Sequence, residues 1–321
     1  MDNKPMGGTE LLLARLQSSV DLEGVQIIPS RLEELQDDKI RIYWCHDNAD
    51  DPMYNHLRNE GWRKFHKIVF VSYLQQQEFI NRFGILPSCC TVMHNAIVPI
   101  AVNIDEKNYD RIELVYLSTP HRGLGLLVHV FQKLTEKYGD GIHLHVYSSL
   151  KLYGRDEQDK QFEPLYDIIR NDPNMTYYGS VSNDEIRESL KTKHIFAYPS
   201  IYRETGCLCL MEAMSAGLLC VHPSLGALPE TGAHWTLMYD FHENHQVHAA
   251  RHHAALDQSI QMLKQQPPII ELKSQKSFSD LYYAWDLRAL QWEGLLNELR
   301  QIYKDVDKSV PKVTPIFRYG A

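Results

Sequence analysis

No stretch of the 321-residue chain approaches the ~18–20 consecutive apolar residues that a membrane-crossing helix needs. The N-terminus also lacks the charged-then-apolar pattern of a secretory leader, so the chain is read as cytoplasmic. Basic residues are in short supply. Lys and Arg number 33 against 41 Asp and Glu, a formal charge of −8, and no global positive field exists to draw in a nucleic acid backbone. Cysteine is sparse and badly spaced for metal. Cys89 adjoins Cys90, one residue separates Cys207 from Cys209, and no pair has the two-residue gap of a zinc knuckle. All six cysteines are read as reduced, small buried hydrophobes. A Gly-x-Gly-x-x-Gly turn after a first strand, with an acidic residue ~20 positions on, is missing too. That counts against an NAD-dependent oxidoreductase.

What is present is alternation. At 321 residues the chain is long enough for two domains, because single cores stop growing at roughly 250–300 residues. Residues 39–45 and 67–72 read as β-rich runs, and Ser72 can cap a helix that stops at Gly84. Periodicity disappears over residues 102–110, where the domain boundary is placed. The expected domains are 1–105 and 106–278, with one long helix over 279–303 packing back on the first. The second half predicts strands at 112–117, 143–147, 175–178 and 194–198, with helices at 124–138, 162–171, 184–191 and 206–216 between and after them. Strands separated by helices imply a mostly parallel, doubly wound α/β sheet. The polar, proline-punctuated stretch from Lys304 is left without structure.

The chemistry concentrates in residues 198–217. Glu204 falls in a loop, Thr205 and Gly206 lead toward a helix N-terminus, and Glu212 follows on the helix with seven residues between the two glutamates. Unpaired amides and the positive dipole end at such a terminus suit a phosphate or a polarised sugar oxygen. A rise of ~1.5 Å per helical residue sets the two carboxylates on the order of 10 Å apart, about the span from a donor sugar to the ribose of its nucleotide.

This segment resembles the two-glutamate signature of retaining GT-B glycosyltransferases, the glycosyl transferases group 1 family of glycogen synthase-like and sucrose synthase-like enzymes. Further likenesses run in the family's order through nearly the whole chain. Gly7-Gly8-Thr9-Glu10 is similar to its glycine-rich loop, Val71-Ser72 and His94-Asn95-Ala96-Ile97 to the end of its first domain, and residues 118–124 to its phosphate-binding segment. Residues 223–230 are similar to the loop that follows the signature helix. The resemblance implies two Rossmann-like domains facing a cleft, the first of them reduced, and transfer of a hexose from a nucleotide diphosphate sugar without a metal or other cofactor. UDP is the first expectation for the donor and GDP the second. Glu204 is assigned to donor-sugar hydroxyls and Glu212 to the ribose. Thr205, Gly206 and Cys207 are assigned backbone contacts to sugar and phosphate, Arg122 to the diphosphate, and Gly7 and Gly8 to the donor side. His46, just after an apolar strand, is assigned a place near the transferring carbon.

Two departures from the family pattern stand out. Ser118 and Thr119 occupy the place of a second cation, and only residues 1–5 precede Met6-Gly7-Gly8, where the family has a strand. Rival readings have their own residues. Asp47, Asp50 and Asp51 offer carboxylates that a metal-dependent GT-A enzyme could use, although the spacing is not a clean Asp-x-Asp. A catalytically silent sugar-nucleotide binder is a further alternative. His242, His245, His248, His252 and His253 read as a solvated helix face. Arg58, Arg63, Lys64 and Lys67, interleaved with Trp62 and Phe65, read as an exposed helix with the capacity for weak contact with an anionic acceptor or a membrane surface. The acceptor class is left open among glycan, lipid-linked and protein substrates.

Overall fold

In a computed structural model, which describes residues 7–151, 154 and 156–312, the chain forms two compact units. One holds Gly8–Ala96, Glu204–Gly206 and the residues from Trp285 on; the other holds Ile97–Arg203 and Cys207–Ala284. Among the described residues each contains one all-parallel sheet.

The first unit opens with helix α1 (Gly8–Ser19) and carries β1 (Val25–Pro29), β2 (Ile40–Cys45), β3 (Lys67–Phe70), α2 (Tyr73–Phe83) and β4 (Cys90–Val92), paired in sequence order. All six residues of β2 are buried, as expected for a parallel strand covered on both faces. Successive side chains point to opposite faces. Tyr43 and Cys45 therefore join the aromatic cluster of Tyr54, Phe65, Phe70 and Phe79, while Trp44 packs edge-on against Trp292 of the terminal helix Trp285–Ile302, 5.0 Å between ring centres. Ser72 caps α2 by accepting from the Gln75 amide, and Gly84 ends it in the left-handed conformation, both as the sequence indicates. β1 and β4 were not foreseen; they are short, and β4 has only three residues.

The second unit carries β5 (Ile112–Leu117), α3 (Leu124–Tyr138), β6 (Ile142–Tyr147), α4 (Asp156–Asp159), α5 (Glu163–Asn171), β7 (Met175–Tyr177), α6 (Asn183–Leu190) and β8 (Ile195–Ala197). Then follow α7 (Leu208–Ser215), β9 (Leu219–Pro223), α8 (Leu228–Gly232), β10 (Leu237–Tyr239), α9 (His245–Gln265) and α10 (Ile269–Tyr282). The strand order is β10-β9-β8-β5-β6-β7. The order reverses between β5 and β8, the topological switch point, beside whose carboxyl ends doubly wound sheets bind ligands.

Three expectations are corrected. Residues 97–105 lie in the second unit, because Ile104 packs against Gly217, where a Cβ would stand 2.5 Å from Ile104 Cδ1, and the nearby Lys107 ammonium donates to the carbonyls of Lys193 and Ala216. The long helix over 279–303 is two helices. The chain breaks at residues 283–284, where the Tyr283 carbonyl accepts from the Ile97 amide and the Tyr283 hydroxyl donates to Thr231 O. Burial of Tyr283 at that point outweighs the helical periodicity on either side. The histidine run is only partly a solvated face: His242 and His245 are exposed and His253 is half-buried. His248 and His252 are fully buried against Tyr239, 5.4 and 5.5 Å between rings, and burial pushes both imidazoles down. The stripe of α9 that faces the sheet carries them with Ala255, Leu256 and Ile260, and an imidazole's apolar body packs there once it is neutral.

Candidate functional site

β5 ends at Leu117, and the chain turns through a single 3-10 turn, Pro120–Arg122, before α3. The turn is knitted to the loop that leaves β8. Gly123, at φ +121°, lies so close to Pro199 that a Cβ would stand 2.3 Å from its carbonyl oxygen. The Ile201 amide donates to Arg122 O at 3.3 Å, and the Arg122 guanidinium lies 4.2 Å from the centre of the Tyr202 ring. A guanidinium stacked on an aromatic face keeps its planar fork of donors aligned. Arg122 is thereby held at the switch point of its sheet.

α7 begins at Leu208, two residues later than the sequence suggests, with Cys207 at its N-cap and no side-chain cap there. The first-turn amides therefore belong to Leu208, Cys209 and Leu210, and Thr205 and Gly206 lie outside the helix. α7 is apolar almost all round. Leu210, Met211, Ala213 and Met214 are fully buried, and Glu212 stands among them with only 8% of its surface exposed. A carboxylate on so buried a helix is costly unless it meets a polar group. The other end of α7 is held by two ammonium groups, Lys107 donating to Ala216 O at 2.8 Å and Lys276 to Ser215 O at 2.8 Å, where cations complement the helix dipole. Burial pushes Lys107 down to about 7. Neither lysine carries a sequence signal, since both come from segments remote from α7.

His46 follows β2 in the first unit, with 9% of its surface exposed. Its amide donates to the Ser30 hydroxyl at 3.1 Å, and its ring lies 4.5 Å from that of Trp44. Burial pushes its imidazole down to about 3, so the ring is neutral in ordinary buffers. Nε2 is buried and has no hydrogen-bond partner in the protein. The Thr205 hydroxyl donates to His46 O at 2.5 Å. Asn95 Nδ2 donates to Gly206 O at 2.8 Å, and a Cβ on Gly206 would stand 3.0 Å from that nitrogen and 3.2 Å from Val71 Cγ2. Glu204, 5% exposed, begins this same three-residue loop.

The expected site residues thus gather in two sets. His46, Glu204, Thr205 and Gly206 come together in the first unit; Arg122, Cys207 and Glu212 lie on the switch-point loops and signature helix of the second. Gly8 is the first residue of α1, with Gly7 just before it, while residues 1–6 fall outside those described. Of the rival carboxylates, Asp51 caps the 3-10 turn Pro52–Leu57 by accepting from the Met53 amide. Among the described residues no group of three or more His, Cys, Asp or Glu is arranged to hold a metal ion. The basic cluster is not one helix: Arg63 and Lys64 lie in the 3-10 turn Gly61–Lys64, where Arg63 pairs with Glu60 and lies over Trp62, whereas Arg58 ends the turn Pro52–Leu57 and Lys67 opens β3.

The profile of the family described as Glycosyl transferases group 1 matches residues 106–273. The chain belongs to this family. Among curated relatives it is similar to a subunit of the human phosphatidylinositol N-acetylglucosaminyltransferase, 27% identical over 166 residues, 51% of this chain and 33% of that one. The corresponding Arabidopsis thaliana protein is likewise 27% identical over 169 residues, 50% of this chain and 35% of that one. These matches therefore span about a third of the relatives' length. Solved structures show the fold. A Rickettsia africae glycosyltransferase superposes with a TM-score of 0.66 at 12% identity, covering 93% of this chain and 81% of that one. Sucrose-phosphate synthase from Thermosynechococcus elongatus gives 0.65 at 13%, with 82% and 69% covered. Anabaena HepE in complex with UDP-glucose gives 0.63 at 14%, with 81% and 72% covered. Two parallel α/β sheets of this kind place the glycosyl transferases group 1 chain in the GT-B fold class, with, among the described residues, four strands in the first sheet and six in the second.

Proposed function

We propose that this glycosyl transferases group 1 member moves a sugar from a UDP donor to a lipid-linked acceptor, with retention of anomeric configuration and without a metal. The observation that carries the proposal is Arg122, stacked on Tyr202 at the switch point of the second sheet; the first-turn amides of α7 are the second group that suits a diphosphate. UDP is favoured by Anabaena HepE, which was solved with UDP-glucose. N-acetylglucosamine as the sugar and a phosphatidylinositol-like acceptor are suggested by the names of the curated relatives.

In this reading Arg122 and the α7 amides stabilise the departing diphosphate electrostatically, which removes the need for a divalent cation. Glu212 takes the ribose hydroxyls and Glu204 the hydroxyls of the sugar. The departing phosphate oxygen accepts the acceptor's proton on the face it leaves, so no base is required on the opposite face. His46, neutral because it is buried, orients the acceptor and steadies positive charge developing at the anomeric carbon through its unpartnered Nε2. The test is proton NMR of the first product formed from an α-linked UDP-N-acetylglucosamine donor, with phosphatidylinositol vesicles as acceptor. An α linkage is expected, together with a His46→Ala turnover lower by on the order of 10²–10³-fold at little-changed UDP affinity. A β-linked product overturns the retaining path, and an unimpaired His46→Ala removes that histidine from it.

A further inference from the structure

Helices α3 and α9 of the second unit lie side by side and leave a groove of about 730 Å³ between them. His129 and Lys133 of α3 and His245 and His253 of α9 line it, over a floor that includes Val130 and Ala249. The two pairs stand at i, i+4 and i, i+8, so each shares one face of its helix. Among the described residues none of these four side chains has a hydrogen-bond or ion-pair partner. No Asp or Glu lines the groove. Asp257, one turn beyond His253, is already engaged by the Lys137 ammonium at 2.7 Å and the Tyr138 hydroxyl at 2.6 Å. On a chain whose formal charge is −8, one ammonium and three imidazoles form a donor-rich exception suited to carboxylates.

A surface that matches it lies on the first unit. The terminal helix, α11 (Trp285–Ile302), buries Trp285, Trp292, Leu295, Leu296 and Leu299 and leaves the opposite stripe to solvent. That stripe carries Asp286, Leu287, Leu290, Glu293, Gly294 and Glu298, all exposed and with no Lys or Arg among them. Leu290 is 64% exposed, and the three carboxylates have no ion-pair partner among the described residues. A single exposed leucine is unremarkable. Two leucines set among three unpaired carboxylates at helical spacing form an amphipathic stripe of the kind that marks a contact surface. Nothing lies within 4 Å of where a Cβ of Gly294 would stand. Glycine weakens a helix interior, yet this bare position leaves room for a neighbouring surface to approach closely.

We propose that the α3–α9 groove of one copy of this chain receives the α11 stripe of a second copy. The leucines meet Val130 and Ala249, and the carboxylates beside them meet Lys133 and the imidazoles, which is a helix laid into a groove. The dimensions agree. At 1.5 Å per residue the groove runs about 12 Å along α9 from His245 to His253 and the stripe about 18 Å from Asp286 to Glu298, so the groove takes about two turns of α11. Groove and stripe are different patches, so the contact is head-to-tail, and a pair joined by one such contact keeps one groove and one stripe free for further copies. The contact uses neither Arg122 nor the signature glutamates and stands apart from the transfer reaction.

A contact of two helical turns is small, so the full chain is followed by sedimentation equilibrium from about 1 to about 300 μM. The same runs are made on a groove variant (His129→Glu with Lys133→Glu), a stripe variant (Glu293→Lys with Glu298→Lys), the uncharged change Leu290→Ala, and an equimolar mixture of the first two. All five positions are exposed on helix surfaces, and circular dichroism melting of each variant is the control for folding. The unaltered chain is expected to exceed the mass of one chain as concentration rises. Each charge-reversed variant should need about 10-fold or more higher concentration to reach the same mass, because like charges then face each other, and Leu290→Ala should shift the same way. The mixture still holds one intact groove and one intact stripe on different chains, so it should stop at a 1:1 pair. A chain that stays monomeric to about 300 μM, self-association that neither variant alters, or a mixture that forms no pair overturns the proposal. A monomeric chain that floats with phosphatidylglycerol vesicles, with flotation lost in the groove variant, gives the groove to a lipid surface and overturns it as well.

Discussion

Gly123→Ala tests whether the two switch-point loops pack as tightly as the geometry indicates. The new Cβ would stand 2.3 Å from Pro199 O, where an ordinary C···O contact is ~3.3 Å, so one of two backbones must move by about 1 Å. The residue also holds φ at +121°, a conformation costing an L-residue about 1–2 kcal/mol. Overpacking adds about 1–3 kcal/mol, for a total of about 2–5 kcal/mol. At roughly 2–4 °C per kcal/mol for a domain of this size, Tm falls by about 4–20 °C. The displaced turn carries Arg122, so UDP affinity should fall by about 10-fold or more. Gly139→Ala is the control. Its φ is +54° with nothing within 4 Å of a Cβ, so it carries the conformational cost alone and leaves UDP affinity intact. Differential scanning calorimetry and UDP titration of both variants decide the matter. A Gly123→Ala chain that melts no lower than Gly139→Ala and binds UDP normally refutes the close approach and the argument built on it.

Three further outcomes are expected. Glu212→Ala should weaken free UDP, because a ribose contact exists without a sugar, while Glu204→Ala should spare UDP and damage the intact donor; identical effects on UDP would contradict that division. EDTA should leave donor binding and turnover nearly unchanged, and complete loss restored by Mn²⁺ would shift attention to Asp47, Asp50 and Asp51. Acid should destabilise the fold. The imidazoles of His46 and His222 are pushed by burial to about 3 and about 4, and that of buried His252 well below its ordinary value. Below pH ~6.5 the unfolded chain binds protons that these folded histidines refuse, so stability present above that pH is lost as pH falls toward 4, on the order of 1–2 kcal/mol per histidine by pH 5. A Tm flat between pH 7 and 5 would show that these rings accept protons in place.

How much of this was legible beforehand depended on range. The helices 124–138 and 73–83 and the strand 112–117 lie where apolar spacing, a capping Ser72 and a stopping Gly84 put them, because those signals are local and the hydrogen bonds they govern span only a few residues. The family, too, could be read from motif order, since Glu204 and Glu212 keep their spacing in the chain whatever the fold does. The break at Tyr283 was not legible, because the helix on each side is periodic and only a bridge from Ile97 interrupts it. Nor was the burial of His248 and His252, which a helical wheel places correctly but cannot assign to solvent or core without the sheet beneath. The grouping of Glu204–Gly206 with His46 and Asn95, over 100 residues away in sequence, was decided by tertiary structure alone. Sequence supplies the identity of a carboxylate and its neighbours along the chain. Which amide oxygen, hydroxyl or ring is brought beside it depends on how separate strands pack, and that choice is made by burial and hydrogen-bond satisfaction summed over the whole unit.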